Sequence, residues 1–161
     1  LSAAKVLKAN QDQIKGRIYL LFERGEAELA ARLLIQNGDQ GYEHWRQNGA
    51  TTFHEYWDSN RSRSHCHPMF GAPVRYLFSE FLGIHRITPG WGKVLIDPIL
   101  PAGLDTVAGS ITTPHGALSV SLVRENGIIH AEITVPDGID AAFLCGDKKT
   151  PLACGVNRVE F

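Results

Sequence analysis

The sequence predicts an α + β chain in which an array of short helices precedes a small antiparallel β-sandwich. Three observations predict it. Apolar residues recur at helical spacing through the first half, they alternate with polar residues in the second, and an Asn-Gly dipeptide separates two of the alternating runs. A chain of 161 residues can form one domain or two small ones and can bury a real core.

"LSAAKVLKAN" opens as a helix already under way, with no initiator Met and no signal-like segment, which predicts the C-terminal piece of a longer protein. Ile14, Ile18, Leu21 and Phe22 mark one helix face that ends near Gly25. Residues 26–36 follow after almost no loop, beginning with acids and rich in strong helix formers. "NGDQG" (37–41) breaks that helix, and residues 42–49 form a short third one ending at a glycine. Pro73 fits only a first helical turn, so the next helix starts near Gly71, with Phe70, Val74, Leu77, Phe78 and Phe81 as its apolar side and Gly83 as its stop. Successive helices with short connections predict antiparallel hairpins.

The period then changes. Residues 117–123 place Leu118, Val120 and Leu122 opposite Ser119 and Ser121, and residues 128–135 place Ile129, Ala131, Ile133 and Val135 opposite His130, Glu132 and Thr134. Asn126-Gly127 between them predicts a tight hairpin, and turns at 114–116 and 136–138 bound it. Residues 93–97 and 141–145 are further short strands, and residues 83–92 read as a linker. The boundary lies near Ile87, giving a helical part at 1–86 and a sandwich at 87–161.

Composition narrows the function. The net charge is −1 with neither sign massed, which supplies no basic stripe for nucleic acid and no basic amphipathic helix for a membrane surface. The longest apolar runs are too short to span a bilayer. Cys66, Cys145 and Cys154 cannot make a closed disulfide framework, although Cys145 and Cys154 are candidates to pair. Nothing marks a compartment, and no cofactor motif is present.

The chemistry concentrates in "GATTFHEYWDSNRSRSHCHPMFGAP", residues 49–73. Glu55 stands beside Tyr56 and Trp57, whose rings can desolvate a carboxylate and offer flat faces to the C–H side of a sugar. Set against this, the rings can simply cap a helical core and leave Glu55 a solvated acid. His54, His65, Cys66 and His67 contain metal-ligand types, but neighbouring side chains diverge and no CxxC or HxxxH spacing supports a site, so no metal is expected. A Cys66 nucleophile paired with histidine has no better support, and the ordinary role of such histidines is hydrogen bonding in a polar pocket. His115 and His130 read as turn and strand-surface residues, Arg61 and Arg63 as a solvated loop face, and Glu80 as solvent-facing.

"GATTFHEYWDS" (49–59) resembles a segment of the bacterial α-L-rhamnosidases, family 78 of the glycoside hydrolases. "SHCHPMFGAPVRYLFSEFLGI" (64–84), "TPGWGKVLIDPIL" (88–100) and "AGSITTPHGALSVSL" (108–122) resemble later segments of the same family, in the same order. The resemblance implies the last helices of an (α/α)6 barrel followed by a β-sandwich, and hydrolysis of terminal α-L-rhamnosyl bonds with inversion. It implies Glu55 as general base and Trp57 and His67 as residues lining the rhamnose pocket. His54 stands where the family usually has Trp or another large apolar residue, and Met69-Phe70 replace a commoner Trp-Ser pair. Asp58 is a candidate to tune Glu55 or bind a sugar hydroxyl. The family's general acid lies in an earlier segment and has no match here.

Inverting hydrolysis needs an acid and a base roughly 6.5–9.5 Å apart. With Glu55 as the only carboxylate placed as base, the chain alone is expected to be inactive. Its expected partners are a rhamnosyl glycoside or oligosaccharide and the remainder of the barrel, with self-association through exposed helices when it is isolated. Two alternatives stand beside this reading. One is another (α/α)6-barrel carbohydrate enzyme. The other is a noncatalytic carbohydrate-binding or interaction module built on the sandwich.

Overall fold

The computed structural model describes residues 11–36, 38, 41–61 and 63–161. The expected helical opening at 1–10 and the break at Asn37, Asp39 and Gln40 lie outside the described residues. The chain divides into two compact units, Leu1–Arg75 and Tyr76–Phe161.

The first unit holds α1 (Gln11–Glu23), α2 (Ala27–Ile35) and α3 (Tyr42–Gln47). Ile18 and Leu21 of α1 and Ala27, Ala30, Ala31 and Leu33 of α2 are buried, as the helical spacing requires. Glycine stops α1 and α3 by one device. Gly25 takes φ 71°, its N–H meets the Phe22 carbonyl at 2.9 Å, and Glu26 N–H meets the Leu21 carbonyl at 2.8 Å. Gly49 takes φ 74°, with Gly49 N–H on Arg46 at 3.1 Å and Ala50 N–H on Trp45 at 2.9 Å. Both are Schellman ends, in which a left-handed glycine lets the chain turn back and satisfy the last carbonyls.

The stretch expected as one helix from near Gly71 to Gly83 is not a single helix. It is a 3₁₀ turn at Pro68–Gly71, one α turn at Val74–Tyr76 and a π turn at Leu77–Phe81. Pro73 has no N–H to continue the ladder, and the π turn is closed by Leu82 N–H on the Leu77 carbonyl at 3.0 Å. The expected apolar side is accordingly split. Phe70 and Phe81 are buried, while Val74 and Leu77 are exposed. Glu80, expected to face solvent, is half-buried and accepts a 2.8 Å bond from the Ser79 hydroxyl.

The second unit is a sandwich of eight strands: β1 (Ile84–Arg86), β2 (Lys93–Ile96), β3 (Thr106–Thr113), β4 (Gly116–Glu125), β5 (Ile128–Val135), β6 (Asp140–Cys145), β7 (Lys148–Leu152) and β8 (Gly155–Glu160). One sheet has the order β1-β2-β6-β7 and the other β3-β4-β5-β8. All neighbours are antiparallel except β2 and β6, which run parallel because the chain crosses to the other sheet between them. Asn126 (φ 50°) and Gly127 (φ 83°) make the β4–β5 turn, the two positive φ values that a two-residue hairpin of this hand needs.

That hairpin decides how the apolar faces pack. Leu118, Val120 and Leu122 do not close on Ile133 and Val135 from an opposing layer; β4 and β5 are neighbours, so these residues share one sheet face. The core they build is closed by Ile84, Val94, Ile96, Ala141 and Phe143 of the other sheet, with Leu82, Leu100 and Ile139 joining the same cluster. Residues 83–92 are likewise more than a linker, since β1 lies inside them and pairs with β2. Gly83 makes that entry possible. It takes φ 65°, and a Cβ there would lie 2.2 Å from the Asp97 carbonyl carbon. All three cysteines are free and exposed, so Cys145 and Cys154 do not pair.

Candidate active site

Residues 50–67 run out from α3 as a loop whose two arms are laced together. Thr52 donates its hydroxyl to the His65 carbonyl, His67 N–H meets the Phe53 carbonyl at 2.6 Å and Glu55 N–H meets the Ser64 carbonyl at 2.8 Å. The Ser64 N–H returns 3.1 Å to Glu55 Oε2. Glu55 and Ser64 therefore form a reciprocal pair at the neck of the loop. Among the described residues the other Glu55 oxygen accepts no bond, so one oxygen is anchored and the other is left for a water or ligand. A half-buried carboxylate with one oxygen held and one open can accept a proton from a water bound at the open oxygen.

Beneath the loop lies a cluster of rings. Trp45 is buried and donates Nε1–H to the carbonyls of Tyr56 (3.1 Å) and Trp57 (3.2 Å), which pins the backbone just beyond Glu55. Tyr42 donates to the Phe70 carbonyl at 3.0 Å, and burial pushes its phenol well above its ordinary pKa. Phe53 covers Gly71 so closely that a Cβ there would sit 3.1 Å from its ring.

Trp57 belongs to this cluster. Its ring lies 4.4 Å from Trp45, 5.5 Å from Tyr42 and 6.4 Å from Phe70 by centroid. It is 6% exposed, so it does not offer the open flat face that the sequence suggested. Burying a large indole among other rings outweighs leaving it wet. Its Nε1–H is buried without a partner among the described residues. Tyr56, at 44% exposed, is the ring at the surface.

The histidines separate into two kinds. His54 is buried and stacks on His65, 4.3 Å between centroids and 16° between planes. Its Nδ1 bonds the Ser59 hydroxyl at 2.9 Å, and His65 Nε2 donates to the Ser59 carbonyl at 3.1 Å. Burial, and then the neighbouring His65, hold the His54 pKa below its ordinary value. His67 stands apart, half-buried, with its ring 5.3 Å from Phe70. Cys66 is exposed, and among the described residues its bonds run through its backbone, to Ser64. Among the described residues no group of three His, Cys, Asp or Glu side chains gathers to hold a metal.

A polar cavity of about 780 Å3 opens on this loop. His44, Asn48, His54, Asp58, Ser59 and His65 are among its lining residues; Glu55, Trp57 and His67 are not. Asp58 is exposed and accepts the Asn60 N–H at 3.0 Å. The loop thus gathers the expected site residues on one segment without facing them into one pocket. Sequence reasoning missed Ser59, Ser64, Trp45 and Thr52. Trp45 carried no signal beyond its size, while the serines were visible only as loop punctuation.

Elsewhere, His115 bonds the Gly90 carbonyl at 3.2 Å from its turn, and His130 lies 3.1 Å from Glu160 on the outer face of the sheet. No helix among the described residues is long and apolar enough to cross a membrane.

Comparison with known proteins agrees with the resemblance. Residues 17–81 match the bacterial alpha-L-rhamnosidase 6 hairpin glycosidase domain, and residues 83–159 match the bacterial alpha-L-rhamnosidase C-terminal domain. An alpha-L-rhamnosidase of Alteromonas sp. (strain LOR) is 30% identical over 134 residues, covering 78% of this chain and 15% of its own length. One from Formosa agariphila is 27% identical over 131 residues, covering 76% of this chain and 14% of its own. The chain therefore spans about a seventh of the curated relatives it matches. Among solved structures, the α-L-rhamnosidase of Aspergillus terreus superposes with a TM-score of 0.80 at 22% identity, over 88% of this chain and 18% of that one. The Streptomyces avermitilis α-L-rhamnosidase, complexed with L-rhamnose, also scores 0.80, at 18% identity over 92% of this chain and 17% of its own. With two domain models of one family matched in order along nearly the whole chain, the protein belongs to the bacterial α-L-rhamnosidases.

Proposed function

We propose that this chain is the C-terminal part of an enzyme that removes terminal α-L-rhamnose from glycosides with inversion, with Glu55 as its general base. The helices before β1 are the last of an (α/α)6 catalytic barrel, and the sandwich that begins at β1, three residues ahead of the boundary expected at 86/87, is the C-terminal β-domain. The observation that carries the reading is the anchored Glu55 carboxylate within the segment matching the family's glycosidase domain. Asp58 and His67 bind sugar hydroxyls. Trp57, buried against Tyr42, Trp45 and Phe70, holds the loop in place.

The general acid comes from the rest of the barrel, so the 161-residue chain by itself leaves a natural rhamnosyl disaccharide intact. An alkoxide leaving group needs that proton, and positioning alone does not replace it. A panel of aryl glycosides assayed with the full-length protein tests the reading. Turnover of the α-L-rhamnoside, and not of other glycosides, is expected; preference for a different sugar overturns the substrate assignment.

A further inference from the structure

The neck of the loop carries more than Glu55. Immediately outside the Glu55–Ser64 pair, the next residues on the two arms are His54 and His65, and their rings stack across the neck at 4.3 Å. From within the loop, Ser59 comes back to both. Its hydroxyl bonds His54 Nδ1 at 2.9 Å and its carbonyl takes the His65 Nε2–H at 3.1 Å. One residue of the loop thus ties down the two residues that flank the neck, one through its side chain and the other through its backbone.

The consequence for Glu55 is geometric. Among the described residues its Oε2 is held by one backbone N–H, that of Ser64, and Ser64 immediately precedes His65. If the rings part, His65 moves, and Ser64 moves with it. The anchored oxygen then loses its donor and the free oxygen loses its aim. A general base tolerates little of this, because a misplacement of about 1 Å can cost on the order of 100-fold in rate. The neutral form of His54 suits the arrangement, because His54 is buried and a proton on it would set a charge directly over the His65 ring; among the described residues His44 and Asp58 also line the cavity.

We propose that the His54–His65 stack, fastened by Ser59, is a positioning element that holds Glu55 in its working geometry. This rests on the reading of Glu55 as general base, and the test separates the two. In the full-length protein, Ser59→Ala, Ser59→Thr, His54→Phe and Glu55→Gln are compared with the parent for kcat and KM on an activated aryl α-L-rhamnoside, with the melting temperature measured for each. His54→Phe keeps a flat ring against His65 and removes the bond to Ser59. Ser59→Ala removes one hydroxyl and is the gentler change, which keeps the test decisive if the His54 variant folds poorly.

The expected result is a fall in kcat of about 10- to 100-fold in Ser59→Ala and His54→Phe, with KM changed less than about threefold. Ser59→Thr, which restores the hydroxyl, should recover most of the loss. A merely structural role would instead lower the melting temperature of Ser59→Ala and leave the kcat of its folded fraction intact. Normal kcat in folded Ser59→Ala beside an inactive Glu55→Gln overturns the positioning role and leaves Glu55 as base. Normal kcat in Glu55→Gln overturns the base assignment, and the positioning role with it.

Discussion

At Glu55 the side chain and its surroundings divide the work. Glu55 supplies a carboxylate, and neighbours that carry no chemistry of their own decide where it points: Ser64 through a backbone N–H and Trp45 through two carbonyls just beyond it. The sequence named Glu55 and left these supports unread, because a backbone donor is present at every residue and only the fold selects one. Trp57 illustrates the opposite error. Its type and place suggested an open platform, yet the local packing of Tyr42, Trp45 and Phe70 claimed the ring. The stacked histidines give a prediction at this scale. The folded pKa of His54 lies below its unfolded value near 6.5, so the unfolded chain takes up the proton first. The stability contributed by neutral His54 is complete above about pH 6.5 and is lost as the pH falls from there through the folded value. His54→Phe should show a shallower fall of melting temperature between pH 7 and pH 5 than the parent. An equal fall in both would mean that His54 takes no part in it.

Among the elements, legibility followed periodicity. β4 and β5 were readable because each alternates and an Asn-Gly turn joins them. β3 was not, because its inward positions include Gly109, where a Cβ would lie 2.7 Å from Leu82 Cδ1. The strand gives up an apolar signal there so that Leu82 can pack. β7 is an exposed edge strand containing Pro151, which no alternation marks and an edge position permits. In β8, Asn157 interrupts the pattern, its amide spent on the carbonyls of Ala153 and Gly155. Helix ends were read correctly where glycine makes them, at Gly25, Gly49 and Gly83, but the helix expected from near Gly71 is broken into short turns, since Pro73 cannot continue the ladder.

Two glycines make a paired prediction. Gly83→Ala meets both a left-handed φ and the backbone of Asp97 at 2.2 Å, whereas Gly127→Ala meets only the φ, with nothing within 4 Å. Left-handed strain costs a non-glycine residue about 1–2 kcal/mol. Gly127→Ala should therefore lose about that much in denaturant unfolding. Gly83→Ala should lose several times more, or fail to fold. Equal losses would contradict the close packing of Gly83 on Asp97.

For the molecule as a whole, the two units carry unequal prospects in isolation. The sandwich closes its own core, with Phe143, Ile96, Leu118, Leu122 and Ile133 all fully buried. The helical unit leaves Tyr19, Leu20, Ile35, Tyr56, Met69 and Val74 exposed and the second unit Leu77, Ile87, Ile99, Ile128 and Val156; exposed apolar surface marks a partner site or a route to aggregation, and among the described residues the two-layer core that offsets it lies in the second unit. The isolated 161-residue chain should self-associate in sedimentation and bind a hydrophobic dye, while residues 76–161 alone, which keep Leu82 in the core, remain monomeric and bind little. A monodisperse, dye-silent full chain would contradict the helical unit's need for a partner. On the proposed reading the chemistry is divided in the same way, with a base in this chain and an acid elsewhere.

That division is tested most directly by Glu55→Gln in the full-length protein, assayed on two rhamnosides. One carries an activated aryl leaving group that needs little acid help, and the other is a natural rhamnosyl disaccharide that needs much. A general base acts on the attacking water in both, so its loss should lower kcat on both substrates by a similar factor, about 10²–10⁴, in a protein that still melts like the parent. Near-normal turnover would remove Glu55 from the mechanism. A loss confined to the disaccharide would make it the acid rather than the base.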